Sequence, residues 1–398
     1  MVFVLSKSYA QEFTPSLQGF RYGVEVAPTG KEWESPQDLS LNKELPHAYF
    51  FSFKNTDEAR QVLPQYSSYW KSLNGTWKFN WVKHPEERPK TFYETNFNDS
   101  KWDDVPVPMS WNIHGIQKDG TLKYGVPIYV NQKVIFQHQV KVDDWKGGVM
   151  RTPPQDWTTY IYRNEVGSYR RSFDVPKDWD GREIFINFDG VDSFFYLWIN
   201  GKYVGFSKNS RNVASFNITK YLNKNGDNSV AVEVYRNSDA SFLEAQDMFR
   251  LPGIFRTVAL TSTPKVQIRD LVAVPDLDAN YKNGTLHIAA ALRNFDTKKV
   301  DKYTVEYSLY ANALYKDDNT LVSDARAVVN VGPIAANNSA TASTQMVVNQ
   351  PNLWSAERPY LYTLVAQLKD RKNKIIETIS TTVGFRKKKN KNTKAEDD

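Results

Sequence analysis

Apolar and polar side chains alternate along most of this chain with the period of two that a β-strand requires. In residues 184–188, Ile184, Ile186 and Phe188 share one side of a predicted strand. In residues 194–199 every side chain is apolar, and in residues 230–234 valine recurs at every second position. No segment sustains the 3.6-residue period of a helix, so the pattern predicts an all-β protein.

Glycine and asparagine mark the turns between these strands. Asn200-Gly201 follows the apolar run directly, and both residue types tolerate the positive φ that a two-residue type I′ hairpin loop needs. We therefore expect residues 203–207 to form the returning strand. Asn225-Gly226-Asp227 predicts another turn, immediately before the valine-rich strand.

The turns and strands divide the chain into two predicted β-sandwiches, a larger one over residues 60–262 and a smaller one over 264–386. Residues 12–59 are polar and turn-rich, which predicts an extended N-terminal arm lying on a domain surface. The strands predicted for the second sandwich are Val266–Val274, Thr285–Leu292, Val305–Leu309 and Tyr362–Leu368.

Composition narrows the functional classes. The net charge is +6 over 398 residues, and residues 386–398 hold six basic against three acidic side chains, which is half of that excess. The remaining charge forms no basic stripe, so we expect no nucleic-acid partner. No apolar run approaches the roughly 20 residues of a membrane span, so no membrane partner is expected either. With no cysteine, disulfides and thiolate chemistry are excluded.

The two chain ends lead to separate expectations. Ser8-Tyr9-Ala10 has the small-x-small pattern of a signal-peptidase site, so residues 1–11 are interpreted as a signal-peptide remnant. We therefore expect a periplasmic or secreted protein, with a cytoplasmic one as the alternative. Residues 387–398 are predicted to be a disordered basic tail. Its lysine and asparagine codons are A-rich, as a frameshift in an adenine run would produce.

Several motifs occur in the order in which family-two glycoside hydrolases of the β-galactosidase type carry them. The chain resembles that family through the segments Leu73-Asn74-Gly75-Thr76-Trp77, Phe188-Asp189-Gly190-Val191-Asp192-Ser193, Leu197–Gly205, Ser238–Arg250, Gly253-Ile254-Phe255-Arg256, Asn352–Glu357 and Val383-Gly384-Phe385-Arg386. The resemblance implies that the first sandwich is a sugar-binding jelly roll and the second an immunoglobulin-like domain.

In that family a catalytic β/α barrel follows the Gly-Phe-Arg motif and carries both glutamates of the retaining pair. Neither glutamate is present here, so the resemblance implies no catalytic residue in this chain and leaves its status as an enzyme open. Asn164-Glu165 copies the dipeptide of the family's acid/base glutamate, but a jelly-roll strand entry follows it. We interpret Glu165 as a solvated loop carboxylate.

Two residues match family positions that reach the galactoside site. Asp247, in the Gln-Asp-Met motif, is implied to bind sugar hydroxyls and to be a sodium ligand; the alternative is an aspartate that caps backbone amides near Arg250. Asn131 is implied to bind sugar through its amide; the alternative is a turn-forming asparagine. No cofactor is implied for this chain alone. Sodium, and magnesium in the barrel, are implied for the complete enzyme.

Two functions remain in competition. One is the truncated N-terminal portion of a β-galactosidase-type enzyme, inactive alone, whose partners are a β-galactoside or related sugar and the missing catalytic barrel. The other is a free-standing carbohydrate-binding or scaffolding module. Exposed Trp111, Trp145 and Trp157 could stack on sugar rings, although most tryptophans in sandwiches belong to the core or rim. The sequence leaves the oligomeric state open, a homo-oligomer of the complete enzyme included.

Overall fold

The computed structural model describes residues 20–130, 164–223, 226–244, 247–312 and 319–387. The predicted signal-peptide remnant and residues 388–398 of the predicted tail lie outside these ranges. The chain forms two compact units. The first sandwich comprises the described parts of Thr14–Pro46 and Lys71–Thr261, and the second sandwich those of His47–Trp70 and Ser262–Asp398.

Strands dominate both units, which confirms the all-β prediction. The strands before residue 131 are β1 Phe20–Arg21, β2 Ser40–Leu41, β3 Ser52–Phe53, β4 Trp70–Ser72, β5 Gly75–Val82, β6 Asp103–Val107 and β7 Ile128–Val130. Those from residue 164 to 263 are β8 Val166–Phe173, β9 Glu183–Phe188, β10 Val191–Asp192, β11 Phe194–Ile199, β12 Lys202–Ser207, β13 Ala214–Asn217, β14 Asn228–Tyr235, β15 Met248–Arg250, β16 Gly253–Ile254 and β17 Val258–Thr263.

The remaining strands all belong to the second sandwich: β18 Val266–Leu277, β19 Gly284–Asn294, β20 Tyr303–Asn312, β21 Asn319–Val331, β22 Ser339–Val348, β23 Leu361–Lys369 and β24 Ile375–Val383. Helices are short: α1 Thr56–Arg60, α2 Trp111–His114, and 3-10 turns at Glu32–Glu34, Pro64–Tyr66, Pro85–Glu87, Lys177–Trp179, Thr219–Tyr221 and Asp239–Phe242. No helix among the described residues is long and apolar enough to cross a membrane.

The first sandwich packs an eight-stranded sheet, in the order β1-β2-β12-β11-β14-β8-β5-β6, against a four-stranded sheet in the order β13-β9-β17-β4. All six side chains of the central strand β11 are buried. Phe195 meets Phe188 of the opposite sheet, with ring centroids 4.9 Å apart. Tyr196 points to the other face, where it packs with Leu41 and Phe92. Because both faces are covered, this strand is apolar at every position rather than at alternate ones.

The predicted hairpin between β11 and β12 is confirmed. Ile199 pairs with Lys202 across a two-residue loop. Asn200 and Gly201 both have positive φ, at 50° and 76°, as a type I′ turn requires.

The second sandwich packs the three-stranded sheet β18-β19-β22 against the five-stranded sheet β21-β20-β23-β24-β3. Along β19, Leu286, Ile288, Ala290 and Leu292 are buried, and the residues between them face outward. This period of two places one side of each sheet in a shared core.

The predicted N-terminal arm does more than lie on a surface, which corrects that prediction. Strand β3 pairs with β24 as the fifth strand of the second sandwich. Phe53 and Ala59 are buried there against Val365, and the hydroxyl of Ser380 donates to the Ala59 carbonyl at 2.6 Å. Residue 387, the first of the predicted disordered tail, also contacts the second sandwich. The ammonium group of Lys387 donates to the Leu277 carbonyl at 2.5 Å.

Candidate functional site

A separate two-stranded ribbon in the first sandwich carries the predicted site residue Asp247. Strands β7 and β15 form it, with Met248 opposite Val130. Asp247 directly precedes β15 and is exposed, and the Tyr129 hydroxyl donates a hydrogen bond to its carboxylate. Asn131, which follows Val130 in the chain, lies outside the described residues.

One face of this ribbon combines the carboxylate with two aromatic rings. Phe249 pairs directly with Tyr129 across the ribbon, and their ring centroids are 5.4 Å apart in an edge-to-face arrangement. Phe249 is 60% exposed and Tyr129 is 53% exposed. The sequence analysis missed both, although Asp247 and Phe249 are two positions apart, as residues on the same face of a strand are.

Among the described residues, the tryptophans proposed for sugar stacking do not supply an exposed aromatic surface. Trp111 is fully buried, and its indole N–H donates to a Glu165 carboxylate oxygen at 3.1 Å. It is a core residue, so its predicted exposure is wrong. Trp145 and Trp157 lie outside the described residues.

Glu165 is buried, which corrects its interpretation as a solvated carboxylate. It is 1% exposed and accepts a hydrogen bond of 2.6 Å from the Arg236 guanidinium. The Asn112 amide and the Trp81 indole lie 3.4 Å from it. Glu165 therefore forms a structural ion pair with Arg236 inside the first sandwich, and two indole N–H groups complete its surroundings. Its position just before β8 agrees with the strand entry that the sequence predicts.

The same ion pair supports the ribbon. Arg236 also donates to the Val126 carbonyl at 3.0 Å, two residues before β7 begins. Gly125, at φ 74°, lies so close to Glu165 that an added Cβ would be 2.4 Å from a carboxylate oxygen. The approach to β7 is therefore held against the buried carboxylate, and β7 in turn holds Tyr129 beside Asp247.

A second polar group links Glu244 to strand β15. The Ser210 hydroxyl and backbone N–H both donate to the Glu244 carboxylate, at 2.6 and 2.8 Å. The Arg250 guanidinium donates to the Glu244 carbonyl at 2.9 Å. These contacts bring together Glu244 and Arg250, which flank Asp247 in the sequence.

Asp192 lies at the centre of this region. Its carboxylate is 3.1 Å from the Arg211 guanidinium. Burial raises the pKa of Asp192 to about 6, and the positive charge of Arg211 opposes that rise. Asp192, Arg211, Glu244 and Arg250 line a polar crevice with about 10 Å³ of unfilled interior. Its unfilled interior holds about one water molecule, so this crevice is too small for a sugar ring.

Clustered metal-ligating side chains are absent from the part of the chain that the structure describes. Among its residues, no group of three or more histidine, aspartate or glutamate side chains could hold a metal ion. Asp247 offers carboxylate oxygens, which suit a hard cation such as sodium, and one of them already accepts from Tyr129.

Two family models match this chain in tandem. Residues 70–264 match the sugar-binding domain of glycosyl hydrolases family 2, and residues 266–386 match a further domain described as glycosyl hydrolases family 2. Together they span both sandwiches.

Curated relatives carry the name β-galactosidase. The enzyme of Priestia megaterium is 38% identical over 357 residues, which are 89% of this chain and 32% of the relative. That of Halalkalibacterium halodurans is 34% identical over 349 residues, 88% of this chain and 31% of the relative. The chain thus spans about a third of the length of these relatives.

Solved structures share the fold at lower identity. A Bacteroides uniformis β-glucuronidase matches with a TM-score of 0.58 and 21% identity, over 80% of this chain and 32% of that one. A structure described as a putative β-galactosidase from Bacteroides fragilis matches with a TM-score of 0.57 and 19% identity, over 80% of this chain and 41% of that one. With both sandwiches matched in order, the chain belongs to glycosyl hydrolases family 2, as its sugar-binding domain and the domain that follows it.

Proposed function

We propose that this chain is the non-catalytic N-terminal portion of a β-galactosidase-type glycoside hydrolase and that it lends Asp247 to the galactoside site. The observation that carries the proposal is the exposed carboxylate of Asp247, which accepts a hydrogen bond from Tyr129 of β7. The buried Arg236 holds the approach to β7, and Arg250 of β15 donates to the Glu244 carbonyl. Relatives in two genera carry the name β-galactosidase, which supports β-galactosides as the substrate class.

The role of Asp247 in this proposal is binding rather than bond cleavage. A carboxylate accepts charge-assisted hydrogen bonds from sugar hydroxyls and orients the ring. The nucleophile and the acid/base carboxyl must lie about 5 to 5.5 Å apart across the scissile bond, and we assign both to a catalytic barrel that is this chain's partner. We further infer that Asp247 contributes one ligand to a sodium site completed by that barrel, with magnesium bound in the barrel.

The surface around the ribbon supports a protein partner on the same side. Segment 111–122 is joined to the chain just after β15 by a hydrogen bond of 3.1 Å from the backbone N–H of Trp111 to the Pro252 carbonyl. Ile113, Ile116 and Leu122 on that segment are 49%, 48% and 41% exposed. Large apolar side chains that recur on one segment suit burial against another domain.

A chimera tests the proposal. Residues 1–386 of this chain replace the matching third of the Priestia megaterium β-galactosidase, and hydrolysis of an aryl β-galactoside is measured. We expect turnover by the chimera, none by this chain alone, and a loss of about 10- to 100-fold in kcat/KM for Asp247→Asn, since a hydrogen bond to a charged group contributes about 1.5–3 kcal/mol.

The matched control is Asp104→Asn, which removes an exposed aspartate of the first sandwich that pairs with Lys78 and should leave kcat/KM unchanged. An active chimera that tolerates Asp247→Asn would refute the binding role. Turnover by the purified chain alone would refute its non-catalytic assignment.

A further inference from the structure

Two arginines, Arg236 and Arg250, line the polar crevice beside Asp192. The side chain of Arg236 is 3% exposed, and Arg250 is half-buried. In both, the Nε atom is buried and has no hydrogen-bond partner among the described residues. Buried donors without an acceptor are costly and rare in native proteins, so two of them in one crevice mark a place where a bound species accepts both hydrogen bonds.

Arg250 also has little compensation for its charge. Its Nη1 donates at 2.9 Å to the backbone carbonyl of Glu244, a neutral acceptor, rather than to a carboxylate. Burial lowers the pKa of Arg250, and the positive charges of Arg211 and Arg236 lower it further, while the carboxylates of Asp192 and Glu244 oppose the change. The guanidinium therefore gains from any further negative charge placed beside it.

The carboxylates of the crevice are already engaged by other groups. Glu244 accepts from the hydroxyl and the backbone N–H of Ser210, at 2.6 and 2.8 Å, and Asp192 pairs with Arg211 at 3.1 Å. Among the lining groups that the structure describes, the buried polar atoms without a partner are both N–H donors. A cation would meet three guanidinium charges there, so the crevice favours an anion.

The size of the crevice limits that anion to a single atom. About 10 Å³ of unfilled interior is room for one water-sized particle, which excludes a sugar ring and a polyatomic anion such as phosphate. A water molecule could accept both hydrogen bonds but would bring no charge to Arg250. A monatomic anion accepts from both guanidinium groups and compensates their charge, and hydrogen bonds between charged groups are the stronger kind.

We propose that this crevice is a binding site for a monatomic anion, chloride, held between the Nε–H groups of Arg236 and Arg250. Arg236 directly follows β14, and Arg250 is the last residue of β15, so the anion joins the ends of these two strands. The site goes beyond the proposed function because it takes an ion and no sugar, and its test needs no barrel. Since the unfolded chain lacks the crevice, chloride should stabilise the first sandwich.

The test is calorimetry of the full chain in sodium chloride and in sodium methanesulfonate at equal ionic strength, so that charge screening is the same in both salts. We expect the Tm of the first sandwich to rise in chloride, saturably, by about 3–5 °C at ten times the Kd. Arg250→Gln removes the charge and one donor and should abolish the difference between the salts. Asp192→Asn removes a negative charge and keeps both donors, so its Kd for chloride should be lower.

The matched control is Arg256→Gln, which removes an exposed guanidinium that donates to the Arg211 carbonyl and does not line the crevice. This variant is expected to keep the full response to chloride. The same Tm of the wild type in both salts, or a response that survives in Arg250→Gln, would overturn the inference. An equal loss in Arg256→Gln would do so too, by assigning the effect to net charge.

Crystals grown in sodium bromide locate the ion without relying on the stability of any variant, because bromide scatters anomalously. We expect an anomalous difference peak between the Arg236 and Arg250 guanidinium groups. Bromide found on exposed side chains alone would mean that only adventitious ions bind, and the proposed site would then be wrong.

Discussion

Replacing Glu165 by glutamine tests whether the buried ion pair stabilises the first sandwich and its ribbon. Glu165 and Arg236 have side chains only 1% and 3% exposed, with a 2.6 Å contact. The glutamine keeps an oxygen for the Trp111 indole N–H but removes the charge that faces Arg236. Arg236 then remains buried, with the Val126 carbonyl as a hydrogen-bond acceptor and without a counter-charge from residue 165.

The magnitude follows from that geometry. Breaking one partner of a buried pair costs about 3–5 kcal/mol of unfolding free energy. Because the glutamine preserves the indole hydrogen bond, we expect the lower end, about 3 kcal/mol. A unit of this size loses roughly 2–4 °C in Tm per kcal/mol, so its transition should fall by roughly 6–12 °C.

Differential scanning calorimetry of the full chain measures this shift. Near-UV circular dichroism assigns the transition to the first sandwich, because Trp81 and Trp111 both contact Glu165. Glu25→Gln is the control, since it breaks an exposed ion pair with Lys220 in the same sandwich and is expected to leave the Tm unchanged. Equal shifts in the two variants would refute the argument that burial makes the Glu165 pair costly to break.

Three further perturbations have defined outcomes. Burial raises the pKa of Asp192 from its ordinary value of 3.8 to about 6, so its stabilising contribution is present below pH 4 and lost as pH rises through 6. The Tm difference between wild type and Asp192→Asn should therefore fall across that window, by the equivalent of about 3 kcal/mol; a difference independent of pH would refute it. In Gly205→Ala the new Cβ would lie 2.0 Å from the Leu41 carbonyl, so we expect a loss of about 1–3 kcal/mol in urea unfolding, whereas Gly226→Ala, with open space around it, should be neutral. Phe53→Ala should lower the transition of the second sandwich by about 3–5 kcal/mol in calorimetry and leave that of the first unchanged.

Local patterns were sufficient for much of the fold. The alternation in residues 184–188 and the turn at Asn200-Gly201 each reflect interactions between residues close in sequence, and both appear as predicted. Strand β22 escaped prediction because its sequence is rich in serine, threonine and alanine. Its burial still alternates, with Ala342 and Met346 inside, but small side chains give a weak hydrophobic signal.

Interactions between distant residues account for what the sequence analysis missed. The segment 52–60 has no periodic pattern of its own, and it becomes the edge of the second sandwich only by pairing with a strand more than 300 residues later. Glu165 has the polar sequence context of a surface loop. Its burial depends on Arg236 and Trp111, which are 71 and 54 positions away.

The sequence predicted one part of the candidate site, and only the tertiary structure revealed the other. The motif around Asp247 is contiguous in sequence, so resemblance alone located the carboxylate. Its aromatic neighbour Tyr129 is 118 positions away, and only the pairing of β7 with β15 brings the ring beside Phe249. The sequence by itself determined the strands with clear alternation, the turn at Asn200-Gly201 and the family, because each depends on short stretches of chain. The tertiary structure decided which charges are buried and which rings surround Asp247, because strand pairing joins segments that no local pattern connects.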